Sequence, residues 1–157
     1  ASDSKSETAS RLTNLFENPR YVEVMGHFLE DRLINRTVRG ELVRSKSEVI
    51  IADRLADHGI EYSYEKELTL GGVTKFPDFT IEDDETGSVF YWEHCGMLHD
   101  PGYLARWQVK LQWYREHGIL PYEEGGGANG TLIVTRDNAE GGISSQEIER
   151  VITEVLR

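Results

Sequence analysis

Hydrophobic positions change their spacing several times along this chain, and each change predicts an element. Leu12, Leu15 and Phe16 fit one short helix, and Tyr21, Val24, Met25, Phe28 and Leu29 fit a second at 3/4 spacing, with Pro19 near its start. Ser45 or Ser47 is placed to cap the next helix, whose inner stripe is Val49, Ile50, Ala52, Leu55 and Ala56 and whose end is marked by His58-Gly59. Residues 60–70 then alternate as a strand, Gly71-Gly72 turns the chain, and a second strand follows at 74–81. The acidic turn Glu82–Gly87 leads into a third strand, Ser88–Cys95. His99-Asp100-Pro101-Gly102 opens a helix carrying Tyr103, Trp107, Lys110, Leu111 and Tyr114 at 3/4 spacing, and Gly118 ends it. Residues 121–130, with Gly125-Gly126-Gly127, read as a flexible surface loop, and Thr131–Thr135 as a short buried strand. A last helix follows Ser144 or Ser145, with Ile148, Val151, Ile152 and Val155 inward and a capping box suggested by Ser144-Ser145-Gln146-Glu147. The order is helices, then αβββαβα, an α/β class.

The 157 residues suit one domain with a substantial core. The expected organisation is a disordered lead-in at 1–10, N-terminal helices over 11–40, a core over 45–135 and a C-terminal helix over 144–157. No apolar run approaches the roughly 18–20 residues of a membrane span. The small, polar start has no signal-peptide core, and the absence of an initiating Met suggests processing or a piece of a longer protein. A lone cysteine, Cys95, excludes an internal disulfide and fits a reducing, cytoplasmic setting. The net charge of −11 argues against bulk electrostatic attraction to nucleic acid. Local attraction stays open, because Arg32, Arg36, Arg39, Arg44 and Lys46 cluster against only Asp31 and Glu41. That run is either a solvated surface or a phosphate-contacting strip.

Asp78 and Glu93 are each a lone carboxylate in a short apolar run, Lys75-Phe76-Pro77-Asp78-Phe79 and Tyr91-Trp92-Glu93-His94-Cys95. A hairpin centred on Glu85-Thr86 sets them opposite one another on one face. Like charges that face each other across strands, roughly 5 Å apart, are destabilising. The neighbouring Phe76, Phe79, Phe90, Tyr91 and Trp92 leave little of the hairpin for water, which weakens the alternative of a solvated face. A third acid, Glu48, lies in the first turn of the helix before the sheet, where the helix dipole alone would favour it. Facing carboxylates suit Mg²⁺ or Mn²⁺, hard cations that prefer oxygen ligands. The chemistry that follows is metal-assisted phosphodiester hydrolysis.

With Glu48 on the first core helix, Pro77-Asp78 on the second strand and Glu93 on the third, the chain resembles the PD-(D/E)xK nuclease superfamily, the restriction-endonuclease-like fold. The resemblance covers 45–135 and implies a three-layer α/β fold with a mixed central sheet. It further implies Glu48, Asp78 and Glu93 as metal ligands in a Mg²⁺- or Mn²⁺-dependent nuclease acting on DNA, with RNA the alternative substrate. The wording around Glu93 is most similar to nuclease-like domains attached to DNA helicases or found in mobile elements, so a larger DNA-processing protein is the implied partner.

The pattern is broken at one place. The motif's lysine should stand two residues after Glu93, where this chain has Cys95. Lys110 falls in the inward stripe of the next helix and is the expected substitute, unless its stem merely passes the aromatic residues to reach water. Gln108 is a second candidate, and Lys75 has strand parity opposite to Asp78. Substrate would enter beside Arg39, Arg44 and Lys46. Two other readings remain at this stage: a nuclease fold kept for DNA or protein binding without turnover, and a zinc module using Cys95 and histidines. Strand alternation puts His94 on the face away from Glu93 and Cys95, which disfavours zinc.

Overall fold

A computed structural model describes residues 35–156; the expected lead-in 1–10, both helices before residue 34, and Arg32 lie outside that range. Asn35–Arg36 (β1) and Leu42–Val43 (β2) pair antiparallel around a turn in which Gly40 donates to the Thr37 carbonyl. The helical stretch expected to run to residue 40 is therefore a β ribbon from Asn35 onward.

Helix α1 spans Lys46–Asp57. Ser45 is its N-cap, and the side chains of Ser45 and Glu48 each bond the other's backbone N–H, which forms a capping box. Such a cap is worth about 1 kcal/mol. Ile51, Ala52 and Leu55 make its fully buried face.

The main sheet contains Ser63–Tyr64 (β3), Phe79–Glu82 (β6), Val89–Cys95 (β7), Ile119–Pro121 (β8) and Gly130–Arg136 (β9), in the order β3-β6-β7-β9-β8. The pairs β3–β6 and β6–β7 are antiparallel, and β7–β9 and β8–β9 are parallel. Three departures from the sequence reading occur around this sheet. The strand expected over 74–81 is divided: Val73–Lys75 belongs to a separate ribbon, residues 76–78 lie in no strand, and only β6 joins the main sheet. The single strand expected over 60–70 is split, because Glu65 adopts a positive φ of 49° and turns the chain away after Tyr64. Leu68–Leu70 (β4) then pairs with Val73–Lys75 (β5) as a separate ribbon around Gly71-Gly72. The triple-glycine stretch is a tight crossover rather than a loose loop. Tyr122–Glu124 forms a 3-10 turn, and Gly127 passes so close to the Gly118 carbonyl that a Cβ would stand 2.1 Å from that oxygen.

Helix α2 spans Pro101–Glu116, capped by Asp100, whose Oδ1 accepts from the Tyr103 N–H at 2.9 Å. Helix α3 spans Ser145–Glu154, shorter than the expected 144–157. Ser144 is its N-cap residue without a side-chain cap bond, so the suggested capping box does not form; Glu147 pairs with Arg150 at 2.7 Å instead.

Strand alternation sorts the core into two layers. Phe79, Ile81, Trp92 and Ile133 pack against Ile51 and Leu55 of α1 and Ile148, Val151 and Ile152 of α3. Tyr91 and Leu132 pack on the opposite face against Trp113 and Tyr114 of α2 and Ile119. The fold is thus a mixed α/β sheet with α2 on one face and α1 and α3 on the other, a three-layer arrangement. Among the described residues no helix is long and apolar enough to cross a membrane.

Candidate functional site

The β6–β7 register pairs Phe79 with Trp92, Thr80 with Tyr91 and Ile81 with Phe90. Continued by one residue, it sets Asp78 against Glu93, as the hairpin reading expects. Asp83 holds the turn: its Oδ1 accepts from the Glu85 N–H at 2.9 Å, and its backbone bonds Ser88.

The two carboxylates are laced to each other's strand. Glu93 Oε1 accepts from the Asp78 N–H at 2.9 Å, and Asp78 Oδ2 accepts from the His94 N–H at 2.7 Å. Glu93 is 3% exposed, Pro77 is buried and Asp78 is half-buried. Alternation places Glu93 and Cys95 on the α2 face, and Lys110 of α2 meets them there. Its Nζ lies 2.6 Å from Glu93 Oε2 and donates to the Phe76 carbonyl at 3.1 Å. Burial pushes the Asp78 carboxyl well above the usual carboxylate range; Glu93 and Glu48 add to the rise, and Lys110 opposes it.

Glu48 comes from the other helical layer. Its Oε2 accepts from the N–H groups of Arg44 and Ser45, both at 3.1 Å, from Ser45 Oγ at 3.3 Å and from Tyr64 Oη at 3.2 Å. Burial, followed by the charge of Glu65, raises its pKa to about 7. Glu48 is thus both a helix cap and a neighbour whose charge Asp78 feels. Among the described residues no three His, Cys, Asp or Glu side chains converge as a ready-made cation cage. Asp78 and Glu93 are brought together; Glu48 is near but held as a cap.

The remaining expected residues divide. Arg44 is engaged: its guanidinium binds Glu65, with Nε 2.5 Å from Oε1, and its side chain is only 9% exposed. It holds the wall behind Glu48 rather than facing solvent as an open phosphate contact. Arg39 lies over the Tyr62 ring, 4.3 Å from the centroid, and donates to the Tyr62 carbonyl at 3.2 Å. Lys46 is exposed at the start of α1. Gln108 is exposed on α2, and Lys75 stands 5.9 Å from the Trp113 ring centroid. Cys95 is buried, and burial, with Glu93 and Asp78 nearby, raises its thiol pKa, so it packs as a neutral group.

Two groups at the site escape the sequence reading. Tyr103 Oη accepts from the Gly96 N–H at 3.3 Å, and its pKa is raised by burial and then by Cys95, Asp78 and Glu93. It stands two helical turns before Lys110 in the stripe taken for core, and that spacing is the signal it offered. Tyr64, from the split strand, donates to Glu48. On the opposite face, His94 Nδ1 meets Thr135 Oγ1 at 2.9 Å and His94 Nε2 meets Asp137 Oδ1 at 2.6 Å. Ser47 of α1 donates to the same Asp137 oxygen at 3.0 Å. The zinc set of Cys95 and His94 is therefore not assembled: the imidazole is engaged beneath α1, away from the thiol.

Similarity to known proteins is narrow. No protein-family model matches the chain, and no solved structure matches it. The chain is 34% identical over 115 residues to "Uncharacterized protein MJ1519" of Methanocaldococcus jannaschii. That alignment covers 73% of this chain and 9% of the relative, so the chain spans less than a tenth of the length of the curated protein it matches.

Proposed function

We propose that this chain is a divalent-metal-dependent nuclease that hydrolyses DNA phosphodiester bonds as one unit of a larger DNA-processing protein. The observation that carries the reading is the joining of Asp78, Glu93 and Lys110. Two adjacent strands force two carboxylates together, and a helix from elsewhere in the chain delivers an ammonium to 2.6 Å from one of them. The donor set fits Mg²⁺ or Mn²⁺: all the acidic ligands are oxygen, and one ammonium does not balance Asp78, Glu93 and Glu48. Asp78 and Glu93 would hold the ion, with Glu48 on its flank. The chemistry supplied by a bound ion is a lowered pKa of its water and stabilisation of charge developing on the phosphate.

The chain's own residues do the rest. Phe76 and Glu93 fix Lys110, which supplies beside the attacked phosphorus the positive charge that Cys95 lacks. Tyr103 offers a protonated hydroxyl on the same face. The exposed Lys46, at the start of α1, offers a cation to the backbone of the strand. The length of the archaeal relative supports a unit working within a longer chain. The test is cleavage of single- and double-stranded DNA with Mg²⁺ or Mn²⁺, using Asp78→Ala and Glu93→Ala as controls.

A second reading, a nuclease fold that binds DNA or protein without turnover, is favoured by the same Lys110–Glu93 pair, which partly neutralises the site without a metal. Calorimetry with Mn²⁺ separates the two. Absence of metal binding alongside intact DNA or protein binding supports the second.

A further inference from the structure

We propose that a cleft beside the acidic pair holds a single nucleotide, with its phosphate on Arg136 and a sugar or base donor on Asp137. The cleft, of about 450 Å³, lies between Cys95, Gly96 and His99 at and after the end of β7 and Arg136, Asp137 and Asn138 at and after the end of β9. Its place is set by topology. The chain leaves β7 for α2 on one face and leaves the parallel neighbour β9 for α3 on the other, so the two loops part at the carboxyl ends of the strands. That switch point is where open α/β sheets bind ligands. The volume suits one small ligand.

Charge identifies the ligand class. Arg136 pairs in register with Cys95, on the face that carries Glu93, and is exposed with no ion pair among the described residues. Asp137 lines the same cleft. Its Oδ1 is engaged by Ser47 and His94, and its Oδ2 points toward Gly96, where a Cβ would stand 3.3 Å away. A cation and a carboxylate lining the same cleft disfavour a simple anion. They favour a molecule that brings both a phosphate and hydrogen-bond donors, and a nucleotide has both. A side chain at position 96 would narrow the space between the loops. The inference rests on the nuclease reading for the origin of the nucleotide, which would be the unit of the strand next to the scissile phosphate.

The experiment is a titration of the protein with deoxynucleoside 5′-monophosphates in EDTA, followed by calorimetry and by amide chemical shifts. Binding with shifts confined to 95–99 and 136–141, weakened roughly tenfold or more in Arg136→Gln, is the expected result. Inorganic phosphate and the unphosphorylated nucleosides should each bind more weakly than the nucleotide. No nucleotide binding at millimolar concentration, equal binding by Arg136→Gln, or phosphate binding as tightly as the nucleotide overturns the proposal. Because the titration needs neither metal nor turnover, such a result leaves the nuclease reading to stand or fall on the Asp78 and Glu93 variants. Position 136 is exposed, and the melting temperature of Arg136→Gln confirms that the variant folds.

Discussion

Lys110 Nζ lies 2.6 Å from Glu93 Oε2, although the residues come from a helix and a central strand separated by a loop. Lys110 thereby stands near the gap left by Cys95. Lys110→Met should reduce metal-dependent cleavage by roughly a hundredfold or more, the scale of losing a positioned proton-transfer or charge-stabilising group. Adding Cys95→Lys to that variant returns a lysine to the strand position and should restore part of the rate. The comparison is of single-turnover rates for the wild type, the single variant and the double variant. An undiminished rate in Lys110→Met would remove Lys110 from the mechanism.

Glu48 gives the metal-free protein a pH dependence. Its folded pKa is raised to about 7 from 4.5, so the folded state binds the proton more tightly than the unfolded state. Stability is therefore greatest at and below the unfolded value and declines as pH rises toward 7. Glu48→Gln retains an acceptor for the cap but cannot ionise. Its melting temperature in EDTA should exceed that of the wild type at pH 8, and the gap should close at pH 4.5. A constant gap across that range would show that Glu48 does not titrate as described.

The Arg44–Glu65 pair is largely buried, with side chains 9% and 17% exposed. Arg44→Met should destabilise the fold by about 3 kcal/mol, because it leaves Glu65 beside Glu48 without its cation. Urea unfolding at pH 7.5 measures this directly, and a change below about 1 kcal/mol would place the pair among interactions of surface strength.

Lys46 is exposed where Arg44 is engaged, so the two should differ as DNA contacts. Lys46→Glu should weaken DNA binding uniformly across sequences and lower the salt dependence by about one counterion. Fluorescence anisotropy at several salt concentrations reads both effects. An unchanged slope would show that the start of α1 does not touch the strand.

What the sequence revealed was local or periodic. The β6–β7 register was legible because a turn signal lay between two alternating runs, and the inward position of Lys110 was legible from the 3/4 stripe of α2. The split of 60–70 was not legible, because its apolar alternation continues through Glu65, and only the positive φ there diverts the chain. The crossover at Gly125–Gly127 looked like a loop because its constraint is a carbonyl of Gly118, contributed from outside the glycine run. Arg44 reads as a surface cation because its partner Glu65 comes from the turn after β3, 21 positions along the chain. The Ser47–Asp137–His94 network joins α1, β7 and the end of β9, and such distant side-chain pairings leave no periodic trace.

The central claim is that Asp78 and Glu93 hold a metal for strand cleavage. Its most direct measurement is the rate at which end-labelled DNA is cut in Mn²⁺ by the wild type, by Asp78→Asn and by Glu93→Gln, with circular dichroism confirming that all three fold. The account predicts cleavage by the wild type that stops on adding EDTA and is lost in both variants. Cleavage that persists in folded Asp78→Asn and Glu93→Gln, or no cleavage by the wild type in either Mg²⁺ or Mn²⁺, would contradict it.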